Sequence, residues 1–124
     1  MYAHKIIKKK KELRQLIKHC KTTGYCSFDF ETTGLEYHSS VHYPTILGVS
    51  FQPGSAWVIP LGHFDSPFKD NYEELLIQFG KEVLEDPNIT KIAWNIKFEM
   101  KWLMRYGIKL KGRCLDGMLA KYLL

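Results

Sequence analysis

Hydrophobic positions near the start of the chain recur at helical spacing. Four of them lie three or four residues apart and would share one helix face: Leu13, Leu16, Ile17 and Cys20. This pattern predicts a first helix over residues 5–21, and the Thr-Thr-Gly sequence at 22–24 predicts its end. Most of the remaining positions in the segment are basic, so the opposite face of this helix would be charged.

Further along, short apolar runs alternate with helical patterns. The apolar runs predict strands over residues 25–30, 45–51, 56–59, 89–94 and 111–115. Helical spacing predicts further helices over residues 71–84, 95–106 and 117–124. The turn sequence Gln-Pro-Gly-Ser at 52–55 makes the second and third strands a hairpin.

The order of these elements predicts the fold class. Three early strands with short connections favour an antiparallel meander, and the later alternation of strand and helix favours parallel additions. We therefore expect an α/β fold with a mixed sheet and flanking helices. A chain of 124 residues predicts a single domain, in which residues 1–22 form a basic leader helix and residues 23–124 form the core.

Charge and cysteine content narrow the functional classes. The formal net charge is +5, and residues 5–21 hold eight lysines and arginines against the single acid Glu12. This run is typical either of a solvated helix face or of a weak phosphate-contacting surface. Cys20, Cys26 and Cys114 are odd in number and have no C-x-x-C spacing, which disfavours a disulfide framework or a zinc site. No membrane-length apolar run or signal peptide is present, and we expect a cytoplasmic protein.

The candidate chemistry begins at the end of the first predicted strand. Asp29 and Glu31 are two residues apart and would point to one face of that strand. Two carboxylates held together repel each other, and a divalent cation such as Mg²⁺ or Mn²⁺ would relieve that repulsion. Asn95 is predicted to cap a later helix, and Glu99 would lie one turn further on the same face. Taken singly, each residue also fits an ordinary solvent-facing or capping role.

Together these motifs resemble a known family. D-F-E-T-T-G at 29–34 and N-I-K-F-E at 95–99 resemble the first two motifs of the DEDD (DnaQ-like) 3′–5′ exonucleases. The flanking sequences Y-G-I-K-L-K-G at 106–112 and L-D-G-M-L-A-K-Y-L-L at 115–124 are closest to the proofreading domain of family A DNA polymerases. The resemblance implies a ribonuclease-H-like fold.

The resemblance also implies roles for individual residues. It implies that Asp29 bridges two metal ions, Mg²⁺ or Mn²⁺, and that Glu31 and Glu99 each serve one of them. Two matched positions would contact the terminal nucleotide, Thr32 and Leu35, the latter as an apolar wedge. Three more would line the path of a single strand: Asn95, Lys97 and Phe98. We interpret Asp116 as a structural helix cap rather than as a metal ligand.

Two departures from the family pattern affect the functional prediction. Glu99 stands where the family has Asp, and a third motif, Y-x-x-x-D or H-x-x-x-D, is missing. We therefore expect a C-terminally truncated piece of a bacterial or phage protein, located in the bacterial or host cytoplasm. As the piece stands, we expect it to be weakly active or inactive.

The predicted function is hydrolysis at the 3′ end of single-stranded DNA by a two-metal mechanism, as the proofreading part of a DNA polymerase. The alternative is a catalytically inactive nucleic-acid-binding or structural module of the same fold. A nuclease acting at internal sites is disfavoured, because the other candidate acids lie in predicted loops: Asp65, Asp70 and Asp86. The sequence does not distinguish DNA from RNA, and it does not decide whether a polymerase domain follows.

Overall fold

The computed structural model describes residues 3–118. Within that range the strands are β1 (Ala3–Ile6), β2 (Tyr25–Thr32), β3 (Pro44–Ser50), β4 (Ser55–Pro60), β5 (Thr90–Ala93) and β6 (Cys114–Asp116). The helices are α1 (Lys10–Thr23), α2 (Tyr72–Phe79) and α3 (Ile96–Arg105), and α2 continues into a π-helical segment, Gly80–Leu84. The predicted final helix lies, apart from its first two residues, outside the described range.

All six strands described form one sheet in the order β1-β4-β3-β2-β5-β6. Strands β2, β3 and β4 are antiparallel neighbours, and the turn between β3 and β4 is the predicted hairpin turn. Strand β5 is parallel to β2, and β6 is parallel to β5. The predicted mixed α/β sheet, a three-stranded meander with parallel additions, is therefore confirmed.

The start of the chain differs from the prediction. Residues predicted to be helical form β1, which pairs in parallel with β4, and the helix begins only at Lys10. Ile7 is fully buried, and its N–H donates to the carbonyl of Val58 at 2.9 Å. Pairing with a distant strand therefore outweighs local helical preference here, which a reading of local periodicity does not detect.

Glu12 determines where α1 begins. Its Oε1 accepts hydrogen bonds from the backbone N–H groups of Lys8 at 2.9 Å and Lys9 at 3.1 Å. Its Oε2 lies 3.0 Å from Nζ of Lys5 on β1. A Glu at this position satisfies amides that the first helical turn leaves without partners. The four apolar residues predicted for this helix are all buried.

Alternation along β2 directs acidic and aromatic side chains to opposite faces. Phe28 and Phe30 are buried with only 3% of their surface exposed, whereas Asp29 and Glu31, which alternate with them, are exposed. Burying a phenylalanine side chain stabilises a fold by roughly 1.5–3 kcal/mol. A shift of one residue would bury both acids and expose both rings, so the core fixes the face on which the acids lie.

A buried lysine fastens the far edge of the sheet. Lys91 on β5 is fully buried, and its Nζ donates to the carbonyl of Asp86 at 2.7 Å and to that of Lys111. Burial lowers the pKa of Lys91 below its ordinary value. These bonds hold the segment that leads into β6, where Asp116 lies.

No helix among residues 3–118 is long and apolar enough to cross a membrane.

The first prediction concerns Glu12. Hydrogen bonds from Lys8 and then the Lys5 ammonium lower the pKa of Glu12 from 4.5 to about 2. A carboxyl with a lowered folded-state pKa stabilises the fold above its unfolded pKa, and this stabilisation is lost as pH falls through the folded value. We expect Glu12→Gln to lower the melting temperature at pH 6, with the difference shrinking between pH 4.5 and 2.

Thermal unfolding followed by circular dichroism across this pH range measures the effect. Glu74→Gln is the matched control, because the Glu74 side chain is 71% exposed and its pair with Lys10 spans 3.7 Å. Exposed pairs of this kind contribute little. An equal loss in both variants, or a difference for Glu12→Gln that persists at pH 2, would contradict this account of the start of α1.

Candidate active site

The site lies where β2 extends beyond the end of its parallel neighbour, β5. β5 pairs with β2 only through Tyr25, Cys26 and Ser27. Beyond Ser27, the backbone of β2 on that side has no strand beside it. The N–H of Phe30 instead donates to Oε2 of Glu99 at 3.1 Å. A side chain from α3 thus takes the place of a strand partner, and this bond brings Glu99 to the strand that carries Asp29 and Glu31.

Glu99 is enclosed although it is acidic. Only 1% of its surface is exposed, on a helix whose Trp102 and Leu103 are also buried. Burial first, and then the nearby carboxyls of Asp29 and Glu31, raise the pKa of Glu99 against the opposing hydrogen bond from Phe30, and the net result is a pKa of about 8 instead of 4.5. The three acids predicted from sequence therefore interact electrostatically in the folded chain.

These acids suit a hard cation chemically, but they do not form a complete cage. Carboxylate oxygens are ligands that Mg²⁺ and Mn²⁺ prefer, and a positive charge beside Glu99 would offset its burial. Among residues 3–118, however, no three His, Cys, Asp or Glu side chains are grouped as a metal site. Asp29 and Glu31 are the exposed donors, and Glu99 already holds the Phe30 amide.

Asn95 occupies the N-cap position of α3, as predicted. It adopts a left-handed conformation with φ 55° and makes no side-chain capping bond. Asp116 performs the capping, since its Oδ1 accepts from the N–H of Asn95 at 3.0 Å and its Oδ2 from that of Ile96 at 3.2 Å. The position of the cap was therefore predicted correctly, but the side chain that accepts the hydrogen bonds was not, because it comes from β6, 21 residues along the chain.

Asp116 also stabilises the turn that follows it. Its Oδ1 accepts from the N–H of Met118 at 2.9 Å, the bond that a helix cap makes. One carboxylate thus serves two helix starts. The second role, at α3, was missed from sequence, and only the pairing of β6 with β5 could have indicated it.

The predicted nucleotide-contacting residues lie on both sides of the acids. Thr32 ends β2, and its Oγ1 donates to the carbonyl of Gly34 at 2.7 Å, which shapes the turn beyond the strand. Leu35 follows with 82% of its side chain exposed. Lys97 on α3 is exposed, and Phe98 is half-buried with its ring 6.4 Å from that of Trp102. Both elements that carry acids therefore also carry candidate substrate contacts.

An open cavity lies beside Asp29, and the segment of β2 from Ser27 to Asp29 forms part of its lining. Its volume is about 620 Å³, and β2, β3, β4 and β5 all contribute to its wall. Gly48 is paired with Asp29 across the sheet and leaves the space beside that carboxylate clear. Asp29 is thus accessible from this side, in contrast to Glu99.

A protein family and a phage protein match the sequence of this chain. The family model described as 3′–5′ exonuclease, of the DNA polymerase A type, matches residues 4–124. A DNA polymerase of Bacillus phage SP01 is 32% identical over 73 residues, which is 57% of this chain and 8% of that protein.

Solved structures share the fold at low sequence identity. The structure of Trypanosoma brucei RNase D has a TM-score of 0.72 at 13% identity, over 93% of this chain and 38% of that one. The Aedes aegypti Nibbler EXO domain has a TM-score of 0.69 at 11% identity, over 97% and 55%. Brucella melitensis NrnC bound to pGG has a TM-score of 0.62 at 20% identity, over 98% and 51%.

The chain spans about half or less of each of these structures and under a tenth of the phage polymerase. The family match nevertheless extends over nearly its whole length, and the residues that carry the two sequence motifs meet in the fold. The chain therefore belongs to the 3′–5′ exonuclease family associated with A-type DNA polymerases.

Proposed function

We propose that this chain is an exonuclease domain that removes nucleotides from the 3′ end of single-stranded DNA, as the proofreading part of a DNA polymerase. The observation that carries the proposal is the bond from Phe30 to Glu99, which brings a third carboxyl against Asp29 and Glu31. The matched phage DNA polymerase supports DNA as the substrate and a polymerase as the parent protein. As part of the proposal we assign it to the cytoplasm of a bacterium or of a phage host.

The family generally uses divalent metal ions. In this chain Asp29 and Glu31 would hold Mg²⁺ or Mn²⁺, with Glu99 beside them. When bound, such ions activate water and stabilise the charge that develops on a transferring phosphoryl group. The chain's own residues have separate tasks, since Thr32 and Leu35 would hold the last nucleotide and Lys97 would attract the phosphates behind it.

A single-stranded end suits the proposed site better than a duplex. Leu35 projects into solvent and Phe98 offers part of a ring, and such groups contact bases only when the bases are unpaired. RNA is the competing substrate, because a structural neighbour, Trypanosoma brucei RNase D, is known in complex with RNA U12. Degradation of matched DNA and RNA oligonucleotides would distinguish the two.

The second candidate function is an inactive nucleic-acid-binding module. The burial of Glu99 and its engagement with Phe30 favour this alternative, as does the lack of a grouped metal site in residues 3–118. Calorimetric titration with Mn²⁺ separates the candidates. We expect two ions per chain for a nuclease, whereas one ion or none would support the inactive module.

The most direct prediction concerns Asp29. We expect Asp29→Ala to reduce Mn²⁺-dependent release of mononucleotides from single-stranded DNA by on the order of 100-fold or more, because an exposed metal ligand is lost. Asp65→Ala is the matched control, since Asp65 lies in a loop and lines a different cavity from Asp29, and this variant should release nucleotides at the wild-type rate. Equal rates in wild type and Asp29→Ala would rule out catalysis at this site.

Glu99 predicts an unusual dependence of stability on pH in metal-free buffer. Its folded pKa, about 8, lies above the ordinary value of 4.5, so the folded chain retains a proton that the unfolded chain releases. The contribution of Glu99 to stability is therefore largest below pH 4.5 and falls as pH rises to 8, by up to about 1.4 kcal/mol per pH unit. We expect Glu99→Gln, which keeps an acceptor for the Phe30 amide, to remove this decline.

Chemical denaturation in EDTA at pH 6 and pH 9 measures the decline. At pH 9 we expect Glu99→Gln to be more stable than wild type, and we expect it to bind Mn²⁺ more weakly because one negative charge is gone. Glu73→Gln, on the first turn of α2, is the control for removing an acid elsewhere. A wild type whose stability does not fall across this range would contradict the buried position of Glu99.

A further inference from the structure

The loop that follows β2 carries Leu35, a candidate substrate contact that is 82% exposed. It spans residues 33–43, between the end of β2 and the start of β3, and Leu35 lies near its beginning. At the base of the loop, the N–H of Thr33 donates to the carbonyl of Tyr43, and the N–H of Tyr43 donates to Oγ1 of Thr33, both at 3.0 Å. These bonds close the loop but do not orient its far side.

Arg105 holds the far side from another element. It is the last residue of α3, and its Nη1 donates to the carbonyl of Ser39 at 3.2 Å and to that of His42. Its guanidinium lies 5.8 Å from the ring of Trp102 and 5.6 Å from that of Tyr106, and these contacts restrict its position. An arginine can meet two carbonyls at once because its donors form a rigid fork.

Helix α3 is also anchored to β2, through Glu99, six residues before Arg105. Glu99 accepts from Phe30 in the middle of that strand, and Arg105 grips the loop that the strand enters. Helix α3 therefore attaches to both the acid-bearing strand and the loop beyond it. The position of Leu35 relative to Asp29 and Glu31 therefore depends on Arg105. It also depends on the hydrogen bonds between Thr33 and Tyr43 that close the base of the loop.

We propose that Arg105 is a positioning residue, which holds the 33–43 loop so that Leu35 meets the terminal base of the substrate. The inference rests on the proposed function, and it makes Arg105 a determinant of affinity for the 3′ end. Arg105 acts through the carbonyls of Ser39 and His42, and it is not itself in contact with the substrate. The rival role is direct contact of the guanidinium with a phosphate.

Hydrogen–deuterium exchange in the absence of substrate tests whether Arg105 holds the loop. In the full chain, we expect Arg105→Ala to speed hydrogen–deuterium exchange of backbone amides in residues 35–42 by roughly tenfold, because the far side of the loop opens more often. Arg105→Lys should restore part of the protection. Met104→Ala, at the adjacent and 61% exposed position on the same helix, should leave exchange unchanged. Unchanged exchange in Arg105→Ala would overturn the proposal.

A double-mutant cycle then tests positioning against direct contact. We expect Arg105→Ala to weaken binding of a fluorescent single-stranded oligothymidylate by about tenfold in the wild-type background and to have little effect in Leu35→Ala, because both act through one contact. Equal weakening in both backgrounds would indicate direct phosphate contact and overturn the proposal. So would unweakened binding in Arg105→Ala.

Binding of the single strand by the wild type distinguishes a failure of the proposed function from a failure of the positioning role of Arg105. If it binds no single strand at all, the proposed function fails, and the positioning role fails with it. If the wild type binds and the Arg105 variants bind equally well, only the positioning role fails. Similar melting temperatures for Arg105→Ala and Met104→Ala would show that neither result comes from unfolding.

Discussion

The hydrogen bond from the Phe30 amide to Glu99 is the interaction on which the rest of the site depends. It exists because β5 is short, so that β2 runs on with one side of its backbone uncovered. A buried amide without a partner costs about 1–3 kcal/mol, which gives the fold a reason to place an acceptor there. The acceptor is the carboxyl group of Glu99. The residue that completes the hydrogen bonding of β2 therefore also places a third acid beside Asp29 and Glu31.

This arrangement creates an electrostatic conflict within the fold. Asp29 and Glu31 are exposed, whereas Glu99 is enclosed beside both of them. The conflict is relieved either by a proton on Glu99 or by a cation nearby, and both states are compatible with the Phe30 bond. The protonation of Glu99 is therefore sensitive to pH, and a cation bound as in the proposed function would compete with that proton.

Much of the fold and part of the site followed from local sequence patterns. Alternation along β2 indicated the face on which Asp29 and Glu31 lie, and the Gln-Pro-Gly-Ser turn indicated the hairpin, because such signals lie within a few residues of each other. The features that local patterns did not predict depend on distant partners. They are the pairing of β1 with β4, the Asp116 carboxylate at the start of α3, and the Arg105 bonds to the loop.

Gly34 shows how a motif residue can be required for its volume rather than for chemistry. A Cβ atom on Gly34 would lie 2.4 Å from Nδ1 of His42. The φ angle of Gly34 is not positive, so the backbone conformation does not by itself require glycine. The turn after Thr32 and the returning end of the loop thus occupy adjoining space with no room between them. A larger residue at position 34 would displace the His42 ring, so a library that diversifies position 34 must vary position 42 with it.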